Sequence, residues 1–164
     1  MVLGLSQRFA TSTAAAHALS GSFDLLGDVP PVGTRLPHEQ ELLAPADERG
    51  RTAVLFLGSS CGPCQALSDS LAAAVIDPRD SGVLDSGDEL VIVTDPAGAD
   101  AYGQIGRVVV DRDGALNRAL GVKATPMGFG VDQDGTLLAA TLLEEVKDVI
   151  RLVSADRQGA PAAT

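Results

Sequence analysis

The chain has 164 residues, 45% of them hydrophobic and 21% charged, which is the make-up of one globular domain with enough apolar residues to build a core. Twelve Lys and Arg against 22 Asp and Glu leave a net charge of −10, aromatics are 3% and Trp is absent, so nucleic acid is excluded as a partner. Two Cys exclude a disulfide-dense scaffold, and two His leave little for a histidine-built metal site.

No run approaches the roughly 18 apolar residues of a membrane span. The opening block Met1–Leu5 is too short for a signal-peptide core, and no basic residue precedes it. Residues 11–28 mix Ser, Thr, Ala and Gly without a sustained period and read as a flexible lead-in, with one weak helical turn around Ala14–Leu19. Pro30, Pro31 and Pro37 force an extended path. Val54–Leu57 is a continuous apolar run ending at Gly58-Ser59-Ser60, the pattern of a strand buried on both faces. Leu67, Leu71, Ala74 and Val75 recur at three- and four-residue spacing, so a helix follows to about Ile76 and stops before Pro78.

The acidic stretch Asp77–Glu89 reads as an exposed, solvated loop. Leu90–Val93 is a second buried strand closed by Asp95-Pro96, and Val108–Val110 a short third one. Asp111-Arg-Asp-Gly114 turns the chain into a brief helix over Ala115–Leu120, its aspartates serving as caps rather than as a cation site. Met127–Val131 and Thr136–Ala140 flank Asp132-Gln-Asp-Gly135, where Asp-Gly supplies the positive φ of a hairpin turn. Glu144–Val153 is an amphipathic helix with Val146, Val149, Ile150 and Val153 on one face. Residues 156–164 have the composition of a disordered tail. Strands alternating with helices before a terminal hairpin and helix predict an α/β sandwich with a mixed sheet.

The sharpest chemical signal is Cys61-Gly62-Pro63-Cys64, where a buried strand gives way to a helix. Two Cys at this spacing close a small, strained disulfide suited to exchange. Cys61 falls at the helix N-terminus, where free N–H groups and the macrodipole favour a thiolate. Cys64, one turn inside, is screened from solvent and suited to resolving a mixed disulfide. Pro63 is tolerated because a first-turn residue has no intrahelical partner to lose. A permanent structural disulfide and half of a zinc site are the competing readings; zinc needs two more ligands, and His17 and His38 both lie upstream. A second, weaker signal is Ala124-Thr125-Pro126, a Pro opening a strand.

Together these elements resemble the thioredoxin superfamily over residues 32–154. Val32 to Leu36-Pro37, with Val110–Gly114 ahead of Leu120-Gly-Val122, is most similar to the TlpA/ResA-like branch, which includes the MauD-like accessory proteins. The resemblance implies a thioredoxin-like sandwich in which Pro126 is cis and lies against the Cys pair. Thr125 then offers backbone hydrogen bonds to a substrate segment, with Ser60, Gly62 and Pro63 completing the substrate-binding set. It implies Cys61 as attacking nucleophile, Cys64 as resolver and no cofactor. It also implies a protein partner carrying a thiol or disulfide, outside the cytoplasm. On this reading residues 1–31 are a lead-in following a membrane anchor absent from this sequence, and 155–164 a tail; a cytoplasmic location is the alternative.

Three positions depart from the family pattern. Ser60 stands where a Trp usually precedes the first Cys, and Leu55 and Leu67 stand where members carry a buried Asp or Glu. Both carboxylate positions are thus apolar, as MauD-like sequences tolerate at the latter, and Cys64 lacks the familiar base. A peroxiredoxin-like peroxidase is disfavoured because its Pro and Thr/Ser positions are Val54 and Gly58. A Sco-type copper chaperone needs a wider Cys spacing and a downstream His, and none follows His38. A non-catalytic interaction module that keeps the pair as a staple stays open.

Overall fold

The computed structural model describes residues 26–45, 50–76, 84 and 87–154. The helical turn expected around Ala14–Leu19, most of the acidic loop and the tail therefore lie outside the described residues. Five strands carry the fold: β1 (Thr52–Phe56), β2 (Glu89–Thr94), β3 (Arg107–Val110), β4 (Met127–Val131) and β5 (Leu137–Leu142). The helices are α1 (Glu39–Leu42), α2 (Gly62–Ile76), α3 (Ala99–Tyr102), α4 (Ala115–Ala119) and α5 (Val146–Ser154). The sheet order is β3-β2-β1-β4-β5; β1, β2 and β3 run parallel, and β4 is antiparallel to both β1 and β5.

Every residue of β1 is buried because the strand is central and both its faces are covered. Successive side chains of a strand point to opposite faces, so β1 feeds two cores. Ala53, Leu55 and Leu57 join Leu67 and Leu71 of α2, Ile92 of β2, Tyr102 of α3 and Val149, Leu152 and Val153 of α5. Val54 and Phe56 join Val91, Val93, Met127, Phe129 and Val131 with Leu42, Leu116 and Leu120 on the other side. Phe56 and Phe129 meet edge to face with ring centroids 4.9 Å apart. Leu26 and Val29, from the end of the expected lead-in, pack against this second core.

The hairpin turns where Asp132–Gly135 predicts it: the Gly135 N–H donates to the Asp132 carbonyl at 3.0 Å, with Gly135 at φ +88. Asp111 caps α4, its carboxylate accepting from the Leu116 and Asn117 N–H groups at 3.2 and 3.0 Å. Asp113 contributes only its carbonyl, to Arg118 Nη1.

Several boundaries differ from expectation. β2 begins at Glu89, inside the stretch read as loop, since Glu89 pairs in register with Thr52. β5 runs to Leu142 because β4 pairs with it along its whole length, across an irregularity between Gly130 and Val131. On α5, Leu152 is buried alongside Val149 and Val153, whereas Val146 and Ile150 pack at the margin. The helices α1 and α3 were not anticipated; at four residues each, they are too short for a 3.6-residue period to register.

Candidate active site

The site grows out of the C-terminal end of β1. Leu57 N–H still donates to the Val93 carbonyl at 3.0 Å, after which Gly58-Ser59-Ser60 leaves the sheet and Cys61 starts α2. Cys61 occupies the N-cap: its carbonyl accepts the Gln65 N–H at 3.1 Å, and its Sγ accepts the Cys64 N–H at 3.2 Å. One of the four orphan amides of the helix start is thereby aimed at the first sulfur, and Pro63 has none to satisfy. The two sulfurs are joined in a disulfide with Cα atoms 5.2 Å apart. Cys61 is partly exposed; Cys64 is fully buried. An attacking reagent therefore reaches only the first sulfur.

The segment before β4 comes back onto this pair. The Thr125–Pro126 bond is cis, and the Thr125 carbonyl oxygen lies 3.6 Å from Cys61 Sγ. Thr125 is exposed and Pro126 buried. Gly62 and Pro63 are exposed at the helix start, so with Thr125 they border the accessible face of Cys61. Ser60 is exposed, beside Cys61 in the chain. Leu55 and Leu67 are buried in the same cluster as Cys64. The second sulfur is thus walled by hydrocarbon, without a carboxylate from either position.

Three contributors escaped the sequence reading. Asp95 Oδ2 accepts the Ser59 N–H at 2.9 Å, while Oδ1 accepts the Ala97 and Gly98 N–H groups at 2.9 and 3.1 Å. The Tyr102 hydroxyl donates to the Gly58 carbonyl at 2.8 Å, and Gln65 Nε2 donates to the Ser59 carbonyl at 3.1 Å. A signal for Asp95 exists in the sequence. It directly follows β2, whose parallel pairing with β1 puts both C-terminal ends side by side, the usual place for a site in such sheets.

The Ser59 N–H, followed by the other amides, holds the Asp95 carboxyl below its ordinary value, against the opposing effect of partial burial. Burial, then the Asp95 charge, pushes the Tyr102 phenol up, so it stays protonated and able to donate. A carboxyl with a lowered folded-state value adds stability that is complete above its unfolded value, near 3.8, and is lost as pH falls through the folded one. Asp95→Asn should therefore flatten part of the acid limb of the stability curve below about pH 4. An acid limb that superimposes on wild type would remove Asp95 from the linkage.

Among the described residues no group of three or more His, Cys, Asp or Glu is placed to hold a metal ion, and no helix is long and apolar enough to cross a membrane. No family model matches the chain, and no curated protein matches it. Solved structures do. The thioredoxin domain of a thiol-disulfide oxidoreductase from Bacteroides vulgatus aligns with TM-score 0.55 at 15% identity, over 77% of this chain and 97% of that one. StoA from Bacillus subtilis aligns at 0.53 and 18%, over 76% and 98%. A DsbF homologue from Corynebacterium diphtheriae aligns at 0.53 and 18%, over 79% and 88%. The chain has the thioredoxin fold. The Bacteroides vulgatus domain comes from a thiol-disulfide oxidoreductase, and the present chain carries a disulfide of Cys-x-x-Cys spacing at the start of α2.

Proposed function

We propose that the chain is a protein thiol-disulfide oxidoreductase that exchanges disulfides with a partner protein through Cys61 and Cys64. The observation that carries this reading is the asymmetry of the pair: a half-open sulfur facing a helix N-terminus, bonded to a fully buried one. In the oxidising direction, a partner thiolate attacks Cys61 Sγ, the Cys61–Cys64 bond breaks, and the electron pair leaves on Cys64 sulfur, which takes a proton. A second partner thiolate then attacks the partner sulfur of the mixed disulfide. The partner leaves oxidised and the Cys pair reduced; the reducing direction is the reverse. No further electron carrier enters this exchange.

Thr125, Gly62 and Pro63 form the surface on which the partner segment lies, with the buried Pro126 behind it, supported by their exposure and by the Thr125 carbonyl at Cys61 Sγ. A location outside the cytoplasm, behind an N-terminal anchor, is supported by the TlpA/ResA-like resemblance. The deciding experiment equilibrates the chain with glutathione buffers and follows reduction of a disulfide-bonded protein. A reduction potential between about −120 and −270 mV, with catalysed exchange, is expected for an exchanging pair. A potential below about −300 mV without catalysis would instead make the disulfide a structural staple.

A further inference from the structure

The Gly58-Ser59 segment is tied down more tightly than an exposed loop requires. All three polar backbone groups between the Gly58 carbonyl and the Ser59 carbonyl are taken by side chains from elsewhere. Gly58 O accepts the Tyr102 hydroxyl, Ser59 N–H donates to Asp95, and Ser59 O accepts Gln65 Nε2. Gly58 O also accepts the Cys61 N–H at 3.3 Å, so the phenol and the nucleophile's own amide share one acceptor. Asp95 and Tyr102 belong to a single short unit, since the Tyr102 N–H donates to the Gly98 carbonyl and the Gly98 N–H to the Asp95 carboxylate. On its other side Gly58 faces Cys61 and Thr125, where a Cβ would make ordinary contact at 3.5 Å with Cys61 Cβ and Thr125 Oγ1.

We propose that Asp95 and Tyr102 are positioning residues, a two-point clamp that fixes the entry of Cys61 into α2 and thereby holds its sulfur on the Cys64 amide. Neither side chain contacts the sulfur in the hydrogen bonds described above. They act through the backbone: the clamp sets where the N-cap sits, and the N-cap sets how well the Cys64 N–H stabilises a Cys61 thiolate. The proposal deepens the exchange reading and rests on it for its functional meaning. Its test does not, because alkylation needs no partner.

The test is a double-mutant cycle read as the rate at which iodoacetamide alkylates Cys61 in the reduced protein at neutral pH. Tyr102→Phe keeps the ring and removes one hydrogen bond, and should slow alkylation about threefold or more. In an Asp95→Ala background, which leaves no acceptor for the Ser59 N–H, the same change should cost clearly less, since the segment is already loosened; any direct effect of the lost charge cancels in the cycle. An unchanged rate in Tyr102→Phe, or effects that simply multiply, would overturn the clamp. Should the variants not fold, amide hydrogen exchange on wild type decides: the Ser59 N–H should be protected at least about tenfold over the Ser60 N–H, and equal rates refute the proposal. If the clamp shows in alkylation while wild type exchanges with no protein disulfide, the proposed function fails and the clamp stands.

Discussion

Replacing Cys61 with Ser should abolish disulfide exchange, by more than about a thousandfold, because it removes the one sulfur that solvent and partner can reach. Replacing Cys64 with Ser should do the opposite to the intermediate. The mixed disulfide at Cys61 then has no internal thiol to resolve it, and the partner should stay covalently attached through a gel without reductant. The reason lies in two neighbouring environments. Cys61 faces the Cys64 N–H at an open helix start, whereas Cys64 is fully buried in the first core with Leu55, Leu67 and Leu71. A thiolate is favoured in the first setting and disfavoured in the second, where burial is offset by no base. In the reduced wild type, iodoacetamide should label Cys61 well ahead of Cys64. Equal labelling, or trapping through Cys64 alone, would reverse the assignment of nucleophile and resolver.

Gly130→Ala should destabilise the fold clearly, although it adds only one methyl group. Gly130 lies in β4 beneath α5, and an added Cβ would collide with the Leu152 carbonyl oxygen and crowd its carbonyl carbon and Cα at 3.0 and 3.2 Å. These are backbone atoms of a helix whose Val149, Leu152 and Val153 are all buried, so no flexible tip can swing aside. Overpacking of this kind costs about 1–3 kcal/mol, which lowers the unfolding midpoint of a chain this size by several degrees. Gly62→Ala serves as the control for stability, since nothing lies within 4 Å of its would-be Cβ. Equal midpoints for the two variants would mean that α5 can ride away from the sheet.

The parts of this fold that were legible in the sequence are those where one residue type answers to one physical demand. Val54–Leu57 reads as buried because a strand covered on both faces favours a continuous apolar run; Asp134-Gly135 reads as a turn because Gly135 must take positive φ. The Cys61–Cys64 disulfide is legible from the spacing of Cys61-Gly-Pro-Cys64 and its place between strand and helix. What stayed illegible depends on contacts distant in the chain. Asp95 and Tyr102 lie 36 and 44 residues from the backbone groups that they hold, and nothing local to either announces it. On α5 the stripe of Val146, Val149, Ile150 and Val153 satisfies the period without Leu152. Its burial follows from how the helix axis sits over β4, which no periodicity specifies.

Tyr102 has one more consequence, and it is optical. The chain contains one Tyr and no Trp, so its near-ultraviolet emission comes from a single phenol. That phenol is buried in the same cluster as Cys64, and its hydroxyl is bonded to the carbonyl that also receives the Cys61 amide. A disulfide is an efficient contact quencher of an excited phenol, and a dithiol a much poorer one. The phenol emission is therefore expected to rise when the pair is reduced, and equal emission from the oxidised and reduced protein would put the ring out of quenching contact.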